Sequence, residues 1–161
     1  MLELLQTETP IDVIATRLLV AVAAGMVIGF DREARSKPAG LRTHMLISLA
    51  SATFTLITFE LTITAIQIDS SIRPDPVRLT EAVVAGVAFL GAGTIIQARG
   101  RVEGITTGAS IWLAGAVGVA CGGGYYPIAA IALVLAIVVL TLVGLIEHRV
   151  KSSAENGSLE D

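Results

Sequence analysis

Apolar positions gather into five long blocks, near Val13 to Phe30, Thr43 to Ile66, Thr80 to Ala98, Ile105 to Cys121 and Tyr125 to Ile146, separated by short polar stretches. Each block is close to the ~20 residues that carry an α-helix across ~30 Å of hydrocarbon. The pattern predicts an all-α, polytopic membrane bundle of about five transmembrane helices over residues 1–148. The polar residues 149–161 show no apolar periodicity and are expected to be disordered.

Composition sharpens that reading. The 161 residues are 53% hydrophobic and 16% charged, with a mean hydropathy of +0.77, whereas an average soluble domain is about 25% charged. The first twelve residues hold Glu3, Glu8 and Asp12 but no Lys or Arg, unlike a signal peptide, so the first block reads as a retained span. The single Cys121 sits inside an apolar block and offers neither a disulfide framework nor a thiolate metal site.

Charge then orients the bundle. Arg32, Arg35, Lys37 and Arg42 in "DREARSKPAGLR", Arg99 and Arg101 in "RGRVEG", and Arg149 and Lys151 in the tail alternate onto one side, against Arg17, Arg73 and Arg78 on the other. This bias predicts an outside N-terminus and a cytoplasmic C-terminus in a bacterial inner membrane.

The apolar blocks are unusually rich in glycine, although a glycine inside a helix costs about 1 kcal/mol relative to alanine. In lipid, helices associate by close packing through small residues, and the chain offers Ala21/Gly25/Gly29, Ala82/Gly86, Gly104/Gly108 and Ala114/Gly118/Gly122 at spacings of four. The expected packing set is Gly25, Gly29, Gly86, Gly91, Gly93, Gly104, Thr106, Thr107, Gly108 and Trp112, with Trp112 inside the bundle. Gly91 and Gly93 also admit a second reading, a kink or an ion or water path. "GAGTII" lacks the third glycine and the Lys-Ser/Thr of a phosphate-binding loop.

Two polar groupings are candidates for chemistry. On the outer side, Arg17, Glu60 and Glu81 could form an ion pair or line a vestibule for water or a divalent cation. On the cytoplasmic side, Asp31, Arg32, Glu33, Arg42, Arg101 and Glu103 gather around two loops. There Asp31 and Glu33 could bind Mg²⁺ through oxygen ligands, or could bridge Arg32, Arg42 or Arg101. Apart from Mg²⁺ no cofactor is expected. Thr106, Thr107 and Ser110 could cap amides or bond between helices, Tyr125 and Tyr126 fit an interfacial anchor, and His44 reads as a lone interfacial histidine. No nucleophile and base pair up in a plausible cleft, so an enzyme is not expected.

On these residues the chain resembles the MgtC/SapB family of bacterial inner-membrane proteins. The matching pieces run in order: "GMVIGFDRE" with Gly25, Gly29, Arg32 and Glu33; "AGLRTH" with Gly40, Leu41, Arg42 and Thr43; "FLGAGTI" from Phe89 to Ile95; and "GITTGASIW" with Gly104, Thr106, Thr107 and Trp112, then the glycines to Tyr125. Together they cover about residues 20–126. The resemblance implies a role tied to magnesium limitation, acid stress and survival within host cells, with some members thought to restrain the ATP synthase. Two departures from the virulence-associated members are expected: no counterpart of their soluble C-terminal domain after the fifth helix, and Thr106 where some carry Asn. The expectation is a self-associating regulator of another membrane complex, such as a dimer embedded in the bilayer, with no nucleic-acid role; the alternative is a transporter or channel for Mg²⁺ or protons.

Overall fold

The computed structural model describes residues 7–71, 73–98 and 101–144. Its five helices are α1 (Ile11–Ala34), α2 (Leu41–Ile68), α3 (Pro76–Ala92), α4 (Ile105–Gly122) and α5 (Tyr126–Val138), the last continuing into a π-wound turn, Val139–Val143. The expected tail after residue 148 lies outside the described residues. At 24, 28 and 18 residues, α1, α2 and α4 are long and apolar enough to cross a membrane, while α3 and α5 are shorter apolar helices.

The third apolar block does not stay helical to Ala98. α3 starts where Asp75 Oδ1 accepts the Val77 N–H at 3.0 Å with Pro76 in its first turn, and it ends at Ala92, where Thr94 Oγ1 turns back onto the Gly91 carbonyl at 2.7 Å. The next residues form two short strands, β1 (Ile96–Ala98) and β2 (Arg101–Glu103), paired antiparallel with Ile96 opposite Glu103. Gly104 then takes φ 88°, the left-handed conformation that glycine reaches without penalty, and a Cβ there would strike the Thr94 carbonyl. The basic turn between the third and fourth blocks is thus a small hairpin closed by one glycine.

α4 runs through the centre and packs on α1, α2, α3 and α5. Its buried positions, among them Thr107, Ser110, Ile111, Ala114, Gly118 and Gly122, wrap most of its circumference. What remains is one outward stripe through Ala109, Trp112 and Ala116. Trp112 is therefore 49% exposed rather than packed in the bundle: at about 100° per residue it falls opposite the buried seam. Thr106 also faces outward.

The tightest seams join α1 to α2 and α2 to α4. A Cβ on Gly25 would lie 2.6 Å from the His44 carbonyl oxygen, and one on Gly29 would lie 2.7 Å from the Leu41 Cα. On the other side of α2, a Cβ on Gly118 would come within 2.8 Å of the Ser48 Cα, and one on Gly122 within 2.7 Å of the Ala52 Cα. Backbones approach this closely only where no side chain intervenes. α3 touches α4 at a single comparable point, where Gly91 faces Gly108. Gly93 meets only carbonyls of its own turn, and Gly86 has nothing within 4 Å. Ala21, Ile28, Ala52, Ile111, Ala114 and Val117 belong to one buried apolar cluster that runs along the bundle.

Candidate functional site

Arg32 is the most buried charge of the described residues, at 4% exposure, although it sits in the last turn of α1. Its Nη2 donates to Thr107 Oγ1 at 2.7 Å, across to the first turn of α4. Its Nε is buried without a hydrogen-bond partner, and no carboxylate oxygen among the described residues comes within 4.0 Å. A cation suits the carbonyl end of α1, but the guanidinium points at the amide end of α4, where the helix dipole is positive. The sequence keeps it there without an anion at contact distance.

Beside it lies a hydrogen-bonded chain. His44 is fully buried, with Nδ1 2.8 Å from the Gly40 carbonyl and Nε2 3.1 Å from Ser110 Oγ. Ser110 Oγ in turn reaches the Thr107 carbonyl at 2.8 Å. A carbonyl can only accept, so the Gly40 contact places a proton on Nδ1, and the single Ser110 hydroxyl proton serves either the Thr107 carbonyl or Nε2. His44 is thus no interfacial residue; it links α2 to α4. One turn further in, Ser48 Oγ donates to the Ala21 carbonyl at 2.7 Å and joins α2 to α1.

The other members of the expected cytoplasmic cluster do not converge. Asp31 Oδ1 accepts from Arg35 Nε at 3.0 Å, with Oδ2 buried and unpartnered, whereas Glu33 Oε2 accepts the Leu41 N–H at 3.0 Å and caps the start of α2. The two carboxylates lie two residues apart on one helix, so they project about 200° from each other. Arg42, Arg101 and Glu103 are exposed on α2 and β2. Among the described residues no three His, Cys, Asp or Glu side chains form a metal-holding group. This donor set does not fit Mg²⁺, which asks for several oxygens around one point.

At the opposite end Arg17, Glu60 and Glu81 also separate. Arg17 Nη1 donates to the Gly122 carbonyl at 3.0 Å, and its guanidinium lies 6.0 Å from the Phe59 ring centroid. It caps the last turn of α4, where carbonyls lack helical partners and a cation is favoured. Glu60 instead accepts the main-chain N–H groups of Glu8 and Thr9, at 2.7 and 2.9 Å, and Glu81 is exposed on α3.

Sequence reasoning passed over Ser48 and Ser51 and placed His44 at the surface. The signal was present: 44, 48 and 51 recur at spacings of four and three, one stripe of α2, and 107 and 110 form the matching stripe of α4.

The segment that carries these contacts is recognisable. Residues 18–149 match the model of the MgtC family. The chain belongs to the MgtC family. It is 38% identical over 124 residues to the Escherichia coli K12 protein named "Putative magnesium transporter YhiD", covering 77% of this chain and 57% of that protein. It is 38% identical over 133 residues to protein MgtC of Brucella abortus, covering 83% and 52%, and 38% identical over 116 residues to protein SapB of Bacillus subtilis, covering 70% and 49%. The chain therefore spans between about half and three-fifths of the length of the curated relatives it matches. No solved structure matches it. With three long apolar helices and this family, the protein is a membrane protein.

Proposed function

We propose that this MgtC-family chain is a multi-pass protein of the bacterial inner membrane that serves magnesium handling by regulating another membrane complex, and does not itself conduct the ion. The name of the Escherichia coli relative supports the link to magnesium, and the Lys and Arg bias supports a cytoplasmic Arg32 end. The observation that carries the choice of regulator is Arg32. A buried guanidinium with no carboxylate at contact distance opposes a dication entering from that end: two unit charges 4 Å apart already interact by about 4 kcal/mol near a protein surface, and Mg²⁺ doubles this. Behind Arg32, the side chains of His44 and Ser48 are engaged in helix–helix hydrogen bonds, and they sit among the buried apolar cluster that fills the bundle.

The test is ion flux in proteoliposomes carrying the purified protein, read with entrapped Mg²⁺- and pH-sensitive dyes. Flux equal to that of protein-free vesicles is expected. Saturable Mg²⁺ or proton flux that changes in Arg32→Gln would overturn the regulatory reading in favour of a transporter.

A further inference from the structure

Between α2 and α3 lies an apolar groove of about 570 Å³, walled by α2 from Leu46 to Phe54 and by α3 from Ala82 to Leu90. Each wall is about 12 Å of helix. Two features mark the walls. Ser51 lines the groove at 1% exposure, and its Oγ has no hydrogen-bond partner; a hydroxyl left so within a bilayer is unfavourable. Gly86 sits midway along the α3 wall with open space where a Cβ would go, while Gly25, Gly29, Gly91, Gly108, Gly118 and Gly122 all press on a neighbouring backbone. An interior glycine costs about 1 kcal/mol, and within one protomer Gly86 has no close approach to compensate it.

Acyl chains could fill the groove, but they cannot bond Ser51 and have no use for a glycine. A helix supplies both a carbonyl or hydroxyl for Ser51 and a backbone that profits from close contact. The polar residues after 150 are poor material for an apolar groove, and α5 packs on α1 and α4 instead.

The outward face of α3 is itself such a helix surface. Arg78, Ala82 and Gly86 share one stripe at a spacing of four, with Ala85 beside it, and all are exposed; Arg78 and Glu81 bring both signs of charge to its rim. Small in the middle and mixed in charge at the edge, this face can meet its own copy about a twofold axis, as an isologous contact requires. We propose that the α2–α3 groove receives α3 of a second copy of this chain, with Gly86 near the axis and the Ser51 hydroxyl rotated into the contact. This dimer does not depend on which function the protein serves.

Cysteine crosslinking in native membranes is the first test. Ala85→Cys should give a disulfide-linked dimer under mild oxidation, and Val134→Cys, exposed on α5, should not. Energy transfer between labelled copies diluted in liposomes gives the strength: Gly86→Leu and Ala82→Leu should each raise the dissociation constant at least tenfold, and Ser51→Ala about threefold. Gly86 has open space where its side chain would go and Ala82 is exposed, so helix content by circular dichroism should match the wild type in both variants. Crosslinking through α5 alone, a wild type that stays monomeric and so leaves the groove to lipid, or leucine variants that dimerise unchanged would each overturn the proposal.

Discussion

Arg17 and Arg32 hold opposite ends of α4, and the two ends do not offer a cation the same welcome. Arg17 bonds the Gly122 carbonyl, where unpaired acceptors and the negative end of the helix dipole both favour it. Arg32 bonds Thr107 at the amide end, where the dipole disfavours it; each arginine keeps a buried Nε without a hydrogen-bond partner, so the contrast lies in the helix end each one meets. One arginine is accounted for by its contribution to the fold. The other is a buried charge turned toward the disfavoured end of a helix dipole, and an ionisable residue buried in a membrane protein marks a functional site by default. The difference separates two arginines that each stand near the end of the first apolar block.

The largest effect that would sharpen this contrast is functional. Arg32→Gln, which keeps a hydrogen-bond donor toward Thr107 but removes the charge, should abolish complementation of growth at low Mg²⁺ in a host lacking its own copy, at unchanged protein level; Arg32→Lys should recover part of it. Full complementation by the glutamine variant would reduce Arg32 to a packing residue. Next in size is a loss of stability at the other end. Arg17→Ala removes a charge-assisted hydrogen bond and a helix cap and should cost about 2 kcal/mol, seen as earlier unfolding in detergent, with complementation kept wherever the protein still accumulates. If Arg17→Ala lost function while unfolding like the wild type, the two ends would have to exchange roles. The smallest expected change belongs to Ser48→Ala, about 0.6 kcal/mol, typical of one interhelical hydrogen bond in a membrane protein. A cost several times larger would show that the polar stripe of α2 acts as a single network with His44.

Hydropathy made the helices legible, because the length of an apolar run and the thickness of a bilayer are the same constraint. It could not show which way a side chain faces, since lipid and protein interior are equally apolar: Trp112 reads as packed in the bundle and His44 as interfacial, whereas the structure exposes the first and buries the second. The hairpin was hidden for a related reason: Ile95, Ile96 and Val102 continue the apolar count past the point where α3 stops. The paired acids were misplaced by a helix boundary. With the first helix ending at Phe30, Asp31 and Glu33 share a pliable loop that could fold around an ion. In the structure α1 continues to Ala34 and turns them apart. Gly25, Gly29, Gly118 and Gly122 press on neighbouring backbones, yet nothing in the spacing distinguishes them from Gly86, because a missing side chain does not say which neighbour will use the room.

Glu60 shows how far a short leading segment can reach. The amides of Glu8 and Thr9, ahead of α1, are stitched to a carboxylate near the far end of α2, more than fifty positions away. Trimming the chain to begin at α1, or threading a bulky reporter through this stitch, would remove both main-chain partners of that carboxylate. Fluorescent or affinity labels therefore belong at the opposite terminus, and a shortened version that behaves badly should first be lengthened by these few residues.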